Sequence, residues 1–324
     1  MQIIVKSISH IFNKNTPLEY RALFDSSCNI NQGEYVAIIG QTGSGKTTFI
    51  EHLNSLLTPE TGSINWIFEH EYRKKKNLIL GGSKNSKPEV QPLIDSKNVT
   101  LQKHKFRKKF KDSKIIRQHV GVVFQFAEYQ LFESTIEKDI MFGPVAYGVP
   151  KEEAKRRAKI YLEKVGLPED YLHKNPLALS GGQKRRVALA GILAIEPDVL
   201  ILDEPTAGLD PAGVREILSI FDKLNEEGKT IIMVTHDMNN VLERSHRTIV
   251  FSNGQIVRDD ATVRILNDEV FLKMNNLIAP QIIALINRIK EKKPYLHFPE
   301  ITKIEQLTDF LNKKIKEKKG ETNE

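Results

Sequence analysis

Eight consecutive residues constrain this chain more than any others: Gly40-Gln41-Thr42-Gly43-Ser44-Gly45-Lys46-Thr47. They follow a short apolar run, YVAII at 35–39, and lead into a segment whose apolar residues Phe49, Ile50, Leu53, Leu56 and Leu57 recur at helical spacing. A strand, a glycine-rich turn and a helix are expected in that order, which is the context that gives G-x-x-x-x-G-K-[ST] its mechanism. The glycines let successive backbone N–H groups face a concave anion site, and the helix opened by Lys46, Thr47 and Thr48 presents the positive end of its dipole. Lys46 brings a full charge to the β- and γ-phosphates of a nucleotide, and the Thr47 hydroxyl is placed to bind Mg²⁺. Further short buried runs at 120–124, 199–202 and 230–234 alternate with helical stretches. That pattern predicts an α/β fold with a largely parallel sheet covered by helices.

Two more patterns carry chemistry. The run VLIL at 199–202 delivers Asp203 and Glu204 to the carboxyl edge of the sheet, where ligands bind in open α/β folds. Asp203 would hold Mg²⁺, directly or through a water, and Glu204 would orient and polarise the water that attacks the γ-phosphate. Leu179-Ser180-Gly181-Gly182-Gln183 precedes the apolar stretch 187–195, so its amides and the Ser180 hydroxyl form a second helix N-terminus ready for an anion. The chain thus has one phosphate loop and two phosphate-type termini.

This ordered set closely resembles ATP-binding cassette (ABC) proteins, LSGGQ being similar to their signature motif. The resemblance implies an ABC-type P-loop nucleotide-binding domain over 1–255, with a helical subdomain at about 137–178, that binds ATP with Mg²⁺ and hydrolyses it. Glu204, His236 and Gln125 are then the implied catalytic residues, and Thr47, Gln125 and Asp203 the implied metal set. Gln125 matches the glutamine that reaches the metal and the attacking water. His236, after the strand TIIMVT, matches the histidine that contacts the γ-phosphate. Ala207-Gly208-Leu209-Asp210 resembles the loop that crosses the interface between two cassettes. Ser180, Gly181, Gly182 and Gln183 would complete a nucleotide site, and Phe12 would stack on adenine, with His10 as the competing ring.

A narrower resemblance lies in FQFAEYQLFE at 124–133, followed by IMFGP at 140–144. It is similar to the cassette ATPases of energy-coupling factor (ECF) transporters, which power bacterial uptake of vitamins and transition-metal ions. Ala127 stands where that family generally has proline. Those ATPases usually pair as two non-identical subunits, and this stretch looks like the second of the two. The resemblance implies a second, non-identical ATPase as partner, a transmembrane coupling subunit and a membrane-embedded substrate-binding subunit. It also implies a peripheral position on the cytoplasmic face of the cell membrane.

Composition sets the remaining bounds. With 40% apolar residues among 324, the chain can build a substantial core, yet its longest apolar run, 187–195, is far short of the ~18–20 residues of a membrane-crossing helix. The opening MQIIVKSISH lacks the features of a secretory signal, so a cytoplasmic protein is expected. Cys28, the one cysteine, cannot form an internal disulfide and reads as a small core residue. The net charge of +7 is unevenly spread: residues 66–115 hold 14 Lys or Arg against 5 Asp or Glu, which leaves the rest slightly acidic. This segment, with RKKK at 73–76, GGSKNSKP at 81–88 and KFRKKFK at 105–111, reads as a basic insertion, a solvated loop or a patch that meets anionic lipid or RNA. It raises the alternative of a soluble ABC ATPase acting on ribosomes or nucleic acid. Nucleic acid is disfavoured, because such proteins usually carry two cassettes or a long central coiled coil, and neither occurs here. Residues 256–324 read as a helical appendage, with one face at Val263, Leu266, Val270, Met274 and Leu277, another at Ile282, Leu285, Ile286 and Ile289, and a Thr302/Glu305 capping box.

Overall fold

The computed structural model describes residues 1–72, 93–103 and 110–320. Strands β1 (Gln2–Phe12), β2 (Tyr20–Ile30) and β3 (Tyr35–Gly40) are followed by helix α1 (Lys46–Leu53) and strands β4 (Thr61–Tyr72) and β5 (Leu93–Gln102). Then come α2 (Ser113–His119), β6 (Val120–Val123), α3 (Ile136–Ala146), α4 (Lys151–Lys164), α5 (Gly181–Leu193), β7 (Val199–Asp203), α6 (Pro211–Glu226) and β8 (Thr230–Val234). The chain continues through α7 (Met238–Arg244), β9 (Arg247–Ser252), β10 (Gln255–Ala261), α8 (Thr262–Leu266), α9 (Glu269–Met274), α10 (Gln281–Lys292) and α11 (Ile304–Gly320).

Two sheets form. The larger has the order β10-β9-β3-β8-β7-β6, parallel except for the antiparallel edge strand β10. The smaller is antiparallel, ordered β2-β1-β4-β5. The apolar runs are continuous because the parallel sheet is buried on both faces, and alternation sorts each run between two cores. Tyr35, Ala37 and Ile39 of β3, with Leu200, Leu202, Ile231 and Met233, pack against α3 to α6. Val36 and Ile38, with Val199, Ile201, Ile232 and Val234, pack against α1 and the antiparallel sheet. Phe49, Ile50 and Leu53 of α1 are fully buried in that second core, each contributing roughly 1.5–3 kcal/mol. The phosphate loop therefore springs from a rigid strand and leads into an anchored helix.

The segment 66–115 is not one loop. Trp66 to Tyr72 complete β4, Leu93 to Gln102 form β5, and the two pair in register from Ser63↔Gln102 to Tyr72↔Leu93. Trp66, Phe68, Val99 and Leu101 lie in the core, and the Trp66 indole donates to Leu53 O at 2.9 Å. The local lysine excess masks this alternation of apolar residues. The runs 73–76 and 81–88, and most of 105–111, lie outside the described residues.

The helical end also differs from its pattern. The predicted face from Val263 to Leu277 is split, because the Asp268 side chain accepts from Phe271 N and starts a new helix; Ile265, Leu266 and Leu272 are buried, while Val270 and Met274 are exposed. In α10, Ile283 and Ile286 face inward and Leu285 is exposed. At the last helix Gln306, not Glu305, reaches back, its Oε1 accepting from Thr302 N and Lys303 N. The large sheet runs on to Ala261, so a boundary at 255 falls inside the β9–β10 hairpin.

Candidate functional site

The site grows from the end of β3. Gly40 sits at φ +149°, and a Cβ there would lie 2.3 Å from Phe251 O of the neighbouring strand. Gly45 precedes α1 at φ +103°, where a Cβ would meet Ala22 O at 2.7 Å. Only glycine meets both demands, so the loop is held against β9 and β2 by backbone alone. The first helical bond of α1 runs from Phe49 N to Gly45 O, at 2.9 Å. The amides of Lys46, Thr47 and Thr48 therefore lie ahead of the helix's own ladder, as an anion site requires.

These residues line a cleft of about 440 Å³ together with Thr42, Gly43, Gln125, Asp203, Glu204, Val234 and His236. The Lys46 ammonium donates to Gly40 O at 2.7 Å and Gln41 O at 2.8 Å, and approaches Ser44 Oγ at 3.4 Å, so Gly40, Gln41 and Ser44 brace the loop from within. Burial pulls the Lys46 pKa down, against the pull of Glu204 and Asp203. The Thr47 hydroxyl donates to Asp203 Oδ2 at 3.5 Å. Burial, and then the charge of Glu204, push the Asp203 carboxyl up. A cation placed between the two acids would relieve that repulsion.

Glu204 is held from three sides. Its amide donates to Val234 O at 2.9 Å, Thr235 Oγ1 donates to Oε2 at 3.3 Å, and His236 Nδ1 lies 2.9 Å from Oε1. Its φ of +48° is a left-handed conformation that costs about 1–2 kcal/mol in a side-chain-bearing residue. Pairing of β3, β8 and β7 brings phosphate loop, histidine and carboxylate to one cleft from three separate strand ends.

Not every expected residue joins them. Phe12 ends β1 opposite Tyr20, with its ring edge-on to His10 at 4.5 Å, and does not line the cleft. His10 is buried against His52, its Nδ1 3.1 Å from His52 Nε2, so its face is closed to a nucleotide. Ser180, Gly181, Gly182 and Gln183 start α5 with a reciprocal capping box and also stand outside the cleft. The aromatic that does line it is Tyr20, whose hydroxyl donates to Gly43 O at 3.3 Å, beside Ala22. Both come from β2, and only strand pairing brings them there.

The ABC transporter family profile matches residues 23–207. The energy-coupling factor transporter ATP-binding protein EcfA2 of Mycoplasmopsis pulmonis is 60% identical over 96% of both chains. Its namesake in Mycoplasma mobile is 50% identical over 100% of this chain and 99% of the other. Among solved structures, cbiO1 from Clostridium perfringens, part of the ABC transporter complex cbiONQ, superposes with a TM-score of 0.63 at 30% identity, over 88% of this chain and 98% of its own. A dimeric ATP-binding cassette in a post-hydrolysis state bound to ADP and Pi superposes at 0.60 with 26% identity, over 80% and 98%. With its phosphate loop, acid pair and signature helix in place, the chain belongs to the ABC transporter family and, within it, to the ATP-binding proteins of energy-coupling factor transporters.

Proposed function

We propose that this ATPase works as one of two non-identical cassettes on the cytoplasmic face of the cell membrane, driving uptake of a vitamin or other micronutrient. A transmembrane coupling subunit and a membrane-embedded substrate-binding subunit are its further partners. No helix among the described residues is long and apolar enough to cross a membrane, so the transport path is assigned to those partners.

The observation that carries the catalytic reading is the Glu204 carboxylate, 17% exposed and held by Thr235 and His236 in the cleft that Lys46 lines. Glu204 orients water for in-line attack on the γ-phosphorus and takes up the developing proton. Lys46 turns from its carbonyl partners to the β- and γ-phosphate oxygens, exchanging dipoles for anions. The Thr47 hydroxyl and the Asp203 carboxylate, with Gln125 in the same cleft, suit Mg²⁺, which takes hard oxygen donors and few carboxylates beside substrate phosphates. When bound, Mg²⁺ neutralises charge on the phosphates. The exposed His236 ring orients Glu204 and meets the γ-phosphate on closure. Tyr20 lines the cleft, and adenine extends past it to stack on Phe12, the ladder partner of Tyr20 just outside the cleft. Ser180, Gly181, Gly182 and Gln183 face the partner's nucleotide.

Glu204→Gln tests the reading, because the amide fills the same space and polarises water poorly. ATP binding by calorimetry should persist, phosphate release should fall by roughly 10² or more, and sedimentation should show ATP-dependent pairing with the second cassette. Phosphate release near wild type would require another base. A monomer at saturating ATP, with the partner present, would refute the paired arrangement.

A further inference from the structure

Arg185 lies in the second turn of α5, five residues after Ser180, and is almost fully buried, at 5% exposure. Every nitrogen of its guanidinium has a partner. Nε and Nη2 form a bidentate pair with Glu128 Oε2 and Oε1, both at 3.0 Å. Nη1 donates to Ala207 O at 2.7 Å and to Pro205 O at 3.4 Å. Those carbonyls stand one and three residues after Glu204. Glu128 stands three residues after Gln125, in the short 3₁₀ turn Ala127–Gln130. One planar cation therefore joins the helix behind the signature motif, the turn behind Gln125 and the loop behind Glu204.

A buried ion pair of this kind is weak evidence for stability, since an apolar replacement of similar volume is often as stable. What a rigid fork supplies is fixed geometry. Glu204 needs that, because its left-handed backbone persists only if its surroundings over-determine it. Val234 O holds the residue on its amide side, and Arg185 holds the chain that leaves it. Burial would push the Glu128 carboxyl up, but Arg185 holds it below its ordinary value, so the fork keeps a charged partner.

We infer that Arg185, locked by Glu128, is a positioning residue for Glu204, which makes the stance of the water-orienting carboxylate depend on α5 and on the turn behind Gln125. The inference rests on the role proposed for Glu204.

The test uses the full chain with its partner cassette and Mg²⁺-ATP, and measures kcat, KM, ATP affinity and Tm for Arg185→Lys, Arg185→Met, Glu128→Gln and Glu204→Gln. In Arg185→Lys one ammonium cannot serve Glu128 and both carbonyls, so kcat should fall roughly tenfold or more. KM and ATP affinity should stay within about twofold, because the phosphate loop is untouched. Glu128→Gln should lose turnover in the same direction. Adding Arg185→Lys to Glu204→Gln should slow the enzyme no further, since the arginine acts through that carboxylate. Should Arg185→Met fail to fold, Arg185→Lys and Glu128→Gln still decide the matter. A kcat per folded molecule within about twofold of wild type in Arg185→Lys, or losses that multiply with Glu204→Gln, would overturn the inference. If Glu204→Gln itself keeps wild-type turnover, the Glu204 role fails first; a slow Glu204→Gln beside a normal Arg185→Lys sinks only the inference.

Discussion

Acid should weaken this protein through two histidines that the chemistry does not use. His52, in α1, is fully buried; its Nδ1 lies 2.7 Å from Thr48 O and its Nε2 lies 3.1 Å from His10 Nδ1. A carbonyl only accepts, so His52 Nδ1 must carry the proton and His52 Nε2 must accept from His10. Burial lowers the His52 pKa from 6.5 to about 4, and burial lowers that of His10 as well. The folded pKa lies below the unfolded one, so the stabilisation is complete above pH 6.5 and is lost as the pH falls toward 4. For His52 alone the loss between pH 7 and pH 5 is about 2 kcal/mol, and about 3 kcal/mol when complete. His10 adds to it in the same direction, as part of one coupled pair. Trp66 is the only tryptophan, and its indole donates to Leu53 O, one residue beyond His52, so its fluorescence reports on this region. Denaturant unfolding followed at that signal should show the wild type losing about 2 kcal/mol from pH 7 to pH 5. A His10→Leu/His52→Leu variant, which removes both partners, should lose correspondingly less. Equal losses in the two proteins would refute the reasoning.

Other perturbations separate the parts of the site from its frame. Lys46→Ala deletes a charge-assisted contact in a sheltered cleft and should weaken ATP binding by about 1.5–3 kcal/mol, read by calorimetry; unchanged affinity would contradict the phosphate-loop assignment. Trp66→Ala empties a fully buried site in β4 and should destabilise by about 3–5 kcal/mol in denaturant melts followed by circular dichroism; a loss below 1 kcal/mol would show that β4 is not part of the core. Replacing 73–92 by Asn-Gly should leave ATPase activity within about twofold, because Tyr72 and Leu93 are ladder partners that a two-residue turn can join. Intact and shortened proteins should bind neutral and acidic liposomes equally weakly; a salt-sensitive loss confined to the shortened form would assign the lysines to a lipid surface.

The legible part of this protein is the part whose function is local in sequence. The phosphate loop needs its glycines, lysine and threonine within eight positions, and the acid pair needs only the strand that carries it, so both could be read before any contact was known. Tyr20 and Ala22 could not, because nothing around them refers to residues 40–48; pairing of β1 with β2, and the turn of Phe24 N onto Gly254 O at 2.8 Å, bring them to the cleft. The Arg185–Glu128 pair is hidden for the same reason, its ends 57 positions apart. In the helical end, periodicity found helices but the wrong face, because one aspartate at 268 restarts the helix: Ile265, Leu266 and Leu272 are buried, while Val270 and Met274 of the face that a single continuous spacing assigned are exposed.

Average charge misleads in a related way. Net charge sums over residues that never share an environment, whereas a strand sorts its side chains by alternate positions. In β4, Ile64, Trp66 and Phe68 point one way and are buried, and in β5 Val99 and Leu101 meet them, while Lys97 and Lys103 flank that apolar pair at the margins of the core and end in ion pairs with Asp112 and Glu60. The same stretch is thus a piece of core and a source of cations. Its apolar half supports α1, because the Trp66 indole is bonded to the helix's last residue. A substitution that lowers the charge of this segment and one that empties its core should therefore separate: the first should be felt at the surface, the second at the phosphate loop that α1 carries.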